Sequence, residues 1–266
     1  MQWEHLTAPE FARAVRDTGV CLIAIGVIER HGEHLPLGTD FLNGHRLACL
    51  AAEKEPAVVF PPFYFGQIYE ARCFPGTVTI QPRLLVELIQ GVFDEIGRNG
   101  FRKIVVLNAH GGNWHLLQFL AQCSLWEEKP YALYIPLGTV SPDRREAWQA
   151  LLETEVHGHA CECETSISLA NHAHLVKMEQ VPQEQAALPL ERMADLPPTF
   201  NAVSWYANYP EHYAGDARRA TEAKGRALRQ LAIDSLAEYV AAVKADAVVP
   251  ALTSEFFRRV SEEVGN

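Results

Sequence analysis

The chain has 266 residues, of which 48% are hydrophobic, and carries a formal net charge of -10 at pH 7. A chain of this length can bury one sizeable core, so we predict a single domain over residues 1–266. The acidic balance argues against nucleic acids and anionic membrane surfaces as partners, because both bind basic proteins.

Apolar, strand-like runs alternate along the chain with segments of helical spacing. This alternation is typical of stacked β-α units, so we predict an α/β fold with a mostly parallel central sheet flanked by helices. One helix is expected to begin at Pro82, and another to be capped by Asn113 and to run to about Glu127. The predicted strands are residues 21–25, 57–60, 77–80, 103–107 and 131–135.

Two later segments differ in their periodicity. Residues 228–243 carry an apolar stripe at helical spacing, which predicts a long helix facing the core, with a seam between subunits as the alternative. Residues 181–210 are rich in proline, alanine and asparagine and show little periodicity. We predict that this segment is a long ordered excursion from the domain rather than a linker.

The first polar motif follows the predicted strand 21–25 directly. Four potential metal ligands lie in a segment whose glycines and proline favour a bent loop over a helix. Because open α/β sheets hold their active sites at the carboxyl ends of their strands, these side chains are expected to converge there. We interpret the segment as half of a metal site, with the candidates Glu29, His31, His34 and Asp40.

A second motif, Asn108-Ala-His110-Gly-Gly-Asn113, follows the predicted strand 103–107. The two glycines after His110 allow the backbone to approach a ligand closely, which favours His110 as a metal ligand over a purely structural histidine. A third motif contains His159 and Glu164, which would share one flank of a helix. One of these two groups could hold a metal while the other moves a proton.

Together the three motifs supply the carboxylates and imidazoles that bind Zn²⁺, Mn²⁺ or Fe²⁺. Such ions lower the pKa of a bound water to about 7 and polarise a carbonyl group. A carboxylate such as Asp40 could bridge two ions about 3.5–4 Å apart. We therefore predict two divalent metal ions as cofactors of a hydrolase.

Six cysteines are scattered at positions 21, 49, 73, 123, 161 and 163 and form no Cys-x-x-Cys pair. This distribution favours free thiols in a reducing compartment. No apolar run approaches the roughly 20 residues of a membrane span, and the amino terminus lacks the basic and apolar regions of a signal peptide. We expect the protein to be cytoplasmic.

The three motifs resemble the signature blocks of the creatininase (creatinine amidohydrolase) family. The matching blocks are residues 26–40, 108–113 and 159–166, and weaker matches at 74–77 and 215–225 extend the resemblance over nearly the whole chain. The resemblance implies a creatininase-like α/β fold, a binuclear metal centre and a homohexamer.

The resemblance also implies roles for individual residues. Glu29 and His110 would bind one metal, His31 the other, and Asp40 would bridge them. Creatininases carry a glutamate two residues after the histidine that matches His110, whereas this chain has glycine there. Glu164 is the expected replacement as ligand to the second metal.

His159 matches the catalytic histidine of the family and is expected to relay a proton to the departing group. His34 is not a family ligand. We expect it to contact the substrate, or alternatively to hydrogen-bond Asp40 and orient it.

The loop before Phe74 departs from the family pattern. Relatives usually have a serine and a histidine where this chain has Ile68 and Ala71, so we expect a rebuilt substrate pocket. An ion pair between the nearby glutamate and arginine is the alternative to substrate binding by them. The candidate substrate contacts in this loop are Tyr69, Glu70 and Arg72.

These features predict a hydrolase that adds water to a carbonyl of a small polar, cyclic substrate, either an amide or a polyhydroxy ketone such as an oxidised inositol. Creatinine hydrolysis or deformylation proper is the alternative within the family. A metal-dependent sugar-ketone isomerase is the alternative of another class, because His159 or Glu164 could act as a base on a carbon acid.

Overall fold

The fold was analysed in a computed structural model that describes residues 1–184 and 186–264. Its centre is a sheet of four parallel strands: β1 (Val20–Ile25), β2 (Val58–Val59), β3 (Lys103–Asn108) and β4 (Ala132–Tyr134). The strand order is β2-β1-β3-β4, and β1 pairs with β3 along its whole length, from Val20 opposite Lys103 to Ile25 opposite Asn108. The predicted α/β fold with a mostly parallel sheet is confirmed.

Helices cover both faces of this sheet. A second, antiparallel pair of short strands, β5 (His157–His159) and β6 (Ala214–Gly215), lies outside it. Within the described ranges, no helix is long and apolar enough to cross a membrane. The helices are α1 (Ala8–Thr18), α2 (Thr39–Lys54), α3 (Pro82–Arg98), α4 (Trp114–Cys123), α5 (Arg145–Ala150), α6 (Glu162–His172), α7 (Ser204–Asn208), α8 (Glu222–Ala245) and α9 (Val248–Val264).

The two faces of β1 belong to two different parts of the core. Every residue of β1 is buried, which explains its continuous apolar sequence. Cys21, Ile23 and Ile25 pack in a cluster with α3 and α4 side chains, whereas Leu22 and Ala24 pack in a cluster with α2 and α8. The predicted stripe 228–243 accordingly faces the core, where α8 buries Leu228, Leu236 and Val240 among others.

The predicted strand 77–80 is wrong, because this segment is not part of a sheet. It follows a turn at Gly76, where φ is +82°, and precedes Pro82, which begins α3. The hydroxyl of Tyr69 donates a hydrogen bond to the backbone carbonyl of Ile80 at 3.0 Å. A side chain therefore satisfies this carbonyl in place of a neighbouring strand.

Asn113 is the N-cap residue of α4 as predicted, but its side chain makes no capping hydrogen bond, and α4 ends at Cys123 rather than near Glu127. The Asn113 side chain is fully buried and joins two segments instead. Its oxygen accepts a hydrogen bond from the backbone N–H of Gln67 at 2.8 Å, and its nitrogen donates one to the backbone carbonyl of Ile25 at 3.1 Å. The loop before Phe74 is thereby fixed to the carboxyl end of β1.

The contact of Gly225 in α8 with Ser166 in α6 gives a test of how these two helices pack. A Cβ atom on Gly225 would lie 1.7 Å from the Ser166 carbonyl oxygen, so Gly225→Ala should lower the free energy of unfolding by about 3 kcal/mol. Gly91, in α3, has no atom within 4 Å of an added Cβ, and Gly91→Ala should raise stability by about 0.5–1 kcal/mol. Urea unfolding of both variants measures the contrast, and equal effects would contradict the described helix contact.

Candidate metal site

The candidate ligands come from four places in the sequence and meet at the carboxyl edge of the parallel strands. Glu29 and His31 lie in the loop after β1, and Asp40 is the second residue of α2. His110 follows β3, whose pairing with β1 brings the two strand ends side by side. Glu164 lies in the first turn of α6. The side chains that the sequence predicts as ligands are thus brought together.

Asp40 occupies the middle of the cluster. Its Oδ2 lies 2.9 Å from His110 Nδ1, and its Oδ1 lies 3.0 Å from His31 Nε2. On one side Glu29, Asp40 and His110 place one potential ligand atom each within 4.8 Å of one another. On the other side His31, Asp40 and Glu164 do the same. These two groups share only Asp40 and correspond to the ligand sets that the family resemblance implies, while Glu29, His31 and His159 form a third group within the same distance.

Several atoms of the cluster fit a metal site better than a network of hydrogen bonds. Glu29 is completely buried, and its Oε1 lies 2.8 Å from His110 Nδ1. Glu29 Oε1 and Asp40 Oδ2 both lie within hydrogen-bond distance of the same nitrogen, His110 Nδ1, which carries at most one hydrogen and cannot fully satisfy both buried oxygens. Buried carboxylate oxygens need compensation, and a divalent cation would supply it.

Electrostatics in the cluster favour added positive charge. Burial disfavours the charged form of His31, but Asp40, Glu29 and Glu164 outweigh it and raise the pKa of His31 to about 9. His110 is likewise buried, and Glu29 and Asp40 hold its pKa well above the usual range. The carboxylates here stabilise a positive charge on the neighbouring imidazoles. A divalent cation bound between the same carboxylates and imidazoles would be stabilised in the same way.

Glu164 differs from Glu29 in the direction of its pKa shift. Burial is the main cause that raises the pKa of Glu164 to about 7, while His31 opposes the rise and Asp40 adds to it. One of its oxygens accepts a hydrogen bond from the Ala160 amide. A carboxyl with this pKa could serve either as a metal ligand or in proton transfer.

The glycine at position 112 is explained by its surroundings. A Cβ atom there would lie 2.6 Å from both Gln67 Oε1 and His110 Nε2. The Gln67 side chain thus takes the space that a larger residue at position 112 would need. This leaves Glu164, from the opposite side of the cluster, as the nearby carboxylate for His31 and Asp40.

His159 is the last residue of β5 and precedes α6, so the prediction that it shares a helix with Glu164 is wrong. Its ring stacks on His31 with centroids 4.2 Å apart, and its Nε2 lies 2.7 Å from the Arg30 carbonyl oxygen. A carbonyl can only accept, so Nε2 carries the proton and Nδ1 of the neutral ring is free to accept one. Burial, and then His31, lower the pKa of His159 to about 3, which keeps the ring neutral.

The predicted roles of His34 do not fit its position. It is 1% exposed, and its Nε2 lies 2.9 Å from the Thr165 hydroxyl rather than on Asp40. It also does not line the cleft described below, so a substrate contact is excluded by burial. His34 instead joins the loop after β1 to α6.

A cleft of about 1500 Å³ opens beside the cluster. Tyr69, Glu70 and Arg72, the predicted substrate contacts, line this cleft, although the Tyr69 hydroxyl donates its hydrogen bond to the Ile80 carbonyl. Glu70 accepts a hydrogen bond from Gln67 at 2.9 Å, and the alternative ion pair between Glu70 and Arg72 is not formed. Ile68 and Ala71, in the same loop, are fully buried and pack with Val27 and Phe74. They are not among the residues that line the cleft.

Two residues of the cleft were not identified from the sequence. His212 is 2% exposed, and its Nε2 contacts Glu29 Oε2, while Trp205 lies on α7 and donates a hydrogen bond to His212 Nδ1 at 3.0 Å. The density of aromatic residues in this part of the sequence was the available signal, but it indicates packing more often than a site.

The site is a cluster of carboxylates and imidazoles at the carboxyl edge of a parallel sheet, beside a polar cleft. This ligand set is the one found in metal-dependent hydrolases, here on an α/β fold. A model of the creatininase family, described as creatinine amidohydrolase, matches residues 4–240. The chain belongs to the creatininase family, whose members are hydrolases.

Characterised relatives differ in their activities. A 3-dehydro-scyllo-inosose hydrolase of Thermotoga maritima is 23% identical over 262 residues, which cover 90% of this chain and 82% of the relative. A mycofactocin precursor peptide peptidase of Mycolicibacterium smegmatis is 28% identical over 213 residues, or 77% of each chain.

Solved structures share the fold. A crystal structure of creatinine amidohydrolase superposes with a TM-score of 0.78 at 22% identity, covering 92% of this chain and 98% of that one. A Zn-Zn type creatininase superposes with a TM-score of 0.76 at 21% identity, covering 92% and 98%. An Mn creatininase superposes with a TM-score of 0.77 at 21% identity, covering 92% and 99%.

Proposed function

We propose that the protein is a binuclear metal-dependent hydrolase that adds water to a carbonyl of a polar substrate. The observation that carries the proposal is the position of Asp40, whose two oxygens face imidazoles of two different ligand groups. A single carboxylate placed in this way is suited to bridging two ions. Zn²⁺ and Mn²⁺ are the proposed metals, in keeping with the Zn-Zn and Mn forms of related creatininases.

The proposed ligands are Glu29 and His110 for one ion, His31 and Glu164 for the other, and Asp40 for both. Ions held there would supply an activated water and polarise the substrate carbonyl. His159 lines the same cleft and has its Nδ1 free, so it can accept a proton transiently, and its lowered pKa favours passing that proton on to the departing group. We propose that this histidine is the proton carrier and that Glu164 assists it.

The lining of the cleft supports a polyhydroxylated substrate. Residues with hydrogen-bonding side chains line it from two segments of the chain, Gln67, Glu70 and Arg72 from one and Asn201, Ser204 and Asn208 from the other. Among the described residues, Arg72 has no carboxylate within ion-pair distance, so its guanidinium is available to a hydroxyl or keto oxygen. We propose a cyclic polyhydroxy ketone, a class to which the substrate of the Thermotoga maritima relative belongs.

The size of the cleft favours a second candidate. About 1500 Å³ exceeds the usual volume of a small-molecule site, and Phe200 adds an exposed aromatic ring to the lining. An extended peptide would use this space. Hydrolysis of a peptide bond, as in the mycobacterial peptidase, is therefore the alternative activity.

Turnover in heavy-oxygen water separates these activities. Purified enzyme should be assayed with a diketo-inositol, creatinine, an N-formyl compound and a short peptide, before and after chelation and with Zn²⁺ or Mn²⁺ restored. We expect the oxidised inositol to be consumed only with metal present, and one solvent oxygen to appear in the product by mass spectrometry. Turnover without solvent oxygen would instead indicate an isomerase, and turnover of creatinine alone would contradict the proposed substrate class.

A further inference from the structure

His212 combines an uncommon backbone conformation with a buried side chain. Its φ is +51°, in the left-handed region that glycine and asparagine tolerate best, and its side chain is almost completely buried. The backbone at this position bends the chain so that the imidazole turns inward between Glu29 and Trp205. A positive φ that turns a side chain into a cluster of buried polar groups points to a function for that side chain.

The hydrogen bonds of His212 define which nitrogen carries its proton. The indole N–H of Trp205 can only donate, and it lies 3.0 Å from His212 Nδ1. Nδ1 must therefore present its lone pair, so the neutral imidazole carries its proton on Nε2. That N–H faces Glu29 Oε2 and donates to it.

The two oxygens of Glu29 therefore have separate partners. Oε2 accepts the hydrogen bond of His212, whereas Oε1 lies 2.8 Å from His110 Nδ1. Fixing one oxygen by a hydrogen bond orients the other toward the space shared with His110 and Asp40. Hydrogen bonds of this kind orient metal ligands in many proteins.

We propose that His212 is a positioning residue that holds Glu29 as a ligand for a divalent cation, and that Trp205 sets its tautomer. The inference rests on the proposed metal site, which it extends to the wall of the cleft. Trp205 lies on α7, far from the ligands in sequence, yet a single imidazole connects its indole to Glu29. The cleft wall and the metal affinity are thereby coupled.

Two substitutions separate the roles of the two ring nitrogens. The amide nitrogen of glutamine takes a place close to that of Nε2 and can donate to Glu29, whereas the side-chain oxygen of asparagine takes a place close to that of Nδ1 and can accept from Trp205. Asparagine also tolerates the backbone conformation, so His212→Asn removes the bond to Glu29 without added strain. Trp205→Phe removes the donor that fixes the tautomer.

The experiment measures Zn²⁺ affinity by competition with a chromophoric chelator. We expect His212→Asn to bind Zn²⁺ about 10–100-fold more weakly than the wild type. His212→Gln should bind Zn²⁺ nearly as tightly as the wild type, and Trp205→Phe should fall between the two variants. Melting temperatures measured with chelator present should be similar for all four proteins, which would separate metal affinity from a general loss of stability.

Two results would overturn the inference while leaving the proposed function intact. In the first, His212→Asn binds Zn²⁺ as tightly as the wild type. In the second, His212→Gln binds as weakly as His212→Asn, which would make ring packing rather than the bond to Glu29 responsible. A wild-type protein that binds no Zn²⁺ would overturn both the proposed function and the inference.

Discussion

Replacement of Asp40 by asparagine is expected to reduce bound metal from two equivalents to one or none and to lower activity about 10³-fold. Asparagine keeps the shape of the side chain but replaces one carboxylate oxygen with an NH₂ group. Because the two oxygens face His31 and His110 separately, the NH₂ group would lie at one of the two ion positions and repel the cation there. The remaining ion would lose the negative charge that the carboxylate shares between both positions.

Elemental analysis of the purified variant, together with steady-state kinetics, measures this prediction. Glu33→Gln is the matched control, because Glu33 lies in the same loop as the ligands but is 65% exposed and pairs with Arg30. The control should retain both metal equivalents and most of the activity. Two equivalents of metal in Asp40→Asn would show that the carboxylate does not bridge the ions.

Most of the sheet could be predicted from the sequence because its central strands are buried on both faces. Continuous apolar runs such as 21–25 and 104–107 have few alternatives in a chain of this length, and their carboxyl ends lead directly into polar motifs. The site could therefore be placed at one edge of the sheet before the fold was known. Strand ends were less predictable, since prolines at positions 61, 62, 130 and 136 shorten the outer strands.

The parts that failed depend on contacts between distant segments. Residues 77–80 have a strand-like composition, but the backbone carbonyl of Ile80 accepts its hydrogen bond from the Tyr69 hydroxyl rather than from another strand. Asn113 precedes a helix in the manner of a cap, yet its side chain joins Gln67 to Ile25 because both lie beside it in the folded chain. A local pattern cannot distinguish these uses of a polar side chain, since each satisfies the same donors and acceptors.

His212 shows the same limit within the candidate site. It contacts Glu29 from 183 positions away in the sequence, and the contact depends on a positive φ that no neighbouring residue type requires. The ligands themselves were recognisable because three short motifs hold them. The residues that orient ligands come from other segments, and their positions follow from the tertiary fold.

Replacement of His159 by glutamine is expected to leave metal content near two equivalents while activity falls about 10²–10⁴-fold. The amide nitrogen of glutamine can still donate to the Arg30 carbonyl, as His159 Nε2 does at 2.7 Å, so the loop is held in place. The free Nδ1 is lost, and glutamine has no group that can accept a proton and pass it on. The variant therefore separates proton transfer from metal binding.

His157→Gln is the control for this experiment, because His157 lies two residues earlier on β5 with an exposed side chain. It should retain wild-type activity and metal content. Rates measured under saturating substrate, beside elemental analysis, distinguish the outcomes. If His159→Gln lost metal in proportion to activity, the ring would be acting as a ligand, a role that its position within 4.8 Å of Glu29 and His31 ligand atoms also permits. Full activity with full metal would instead leave Glu164, whose pKa is raised to about 7, as the group that carries the proton.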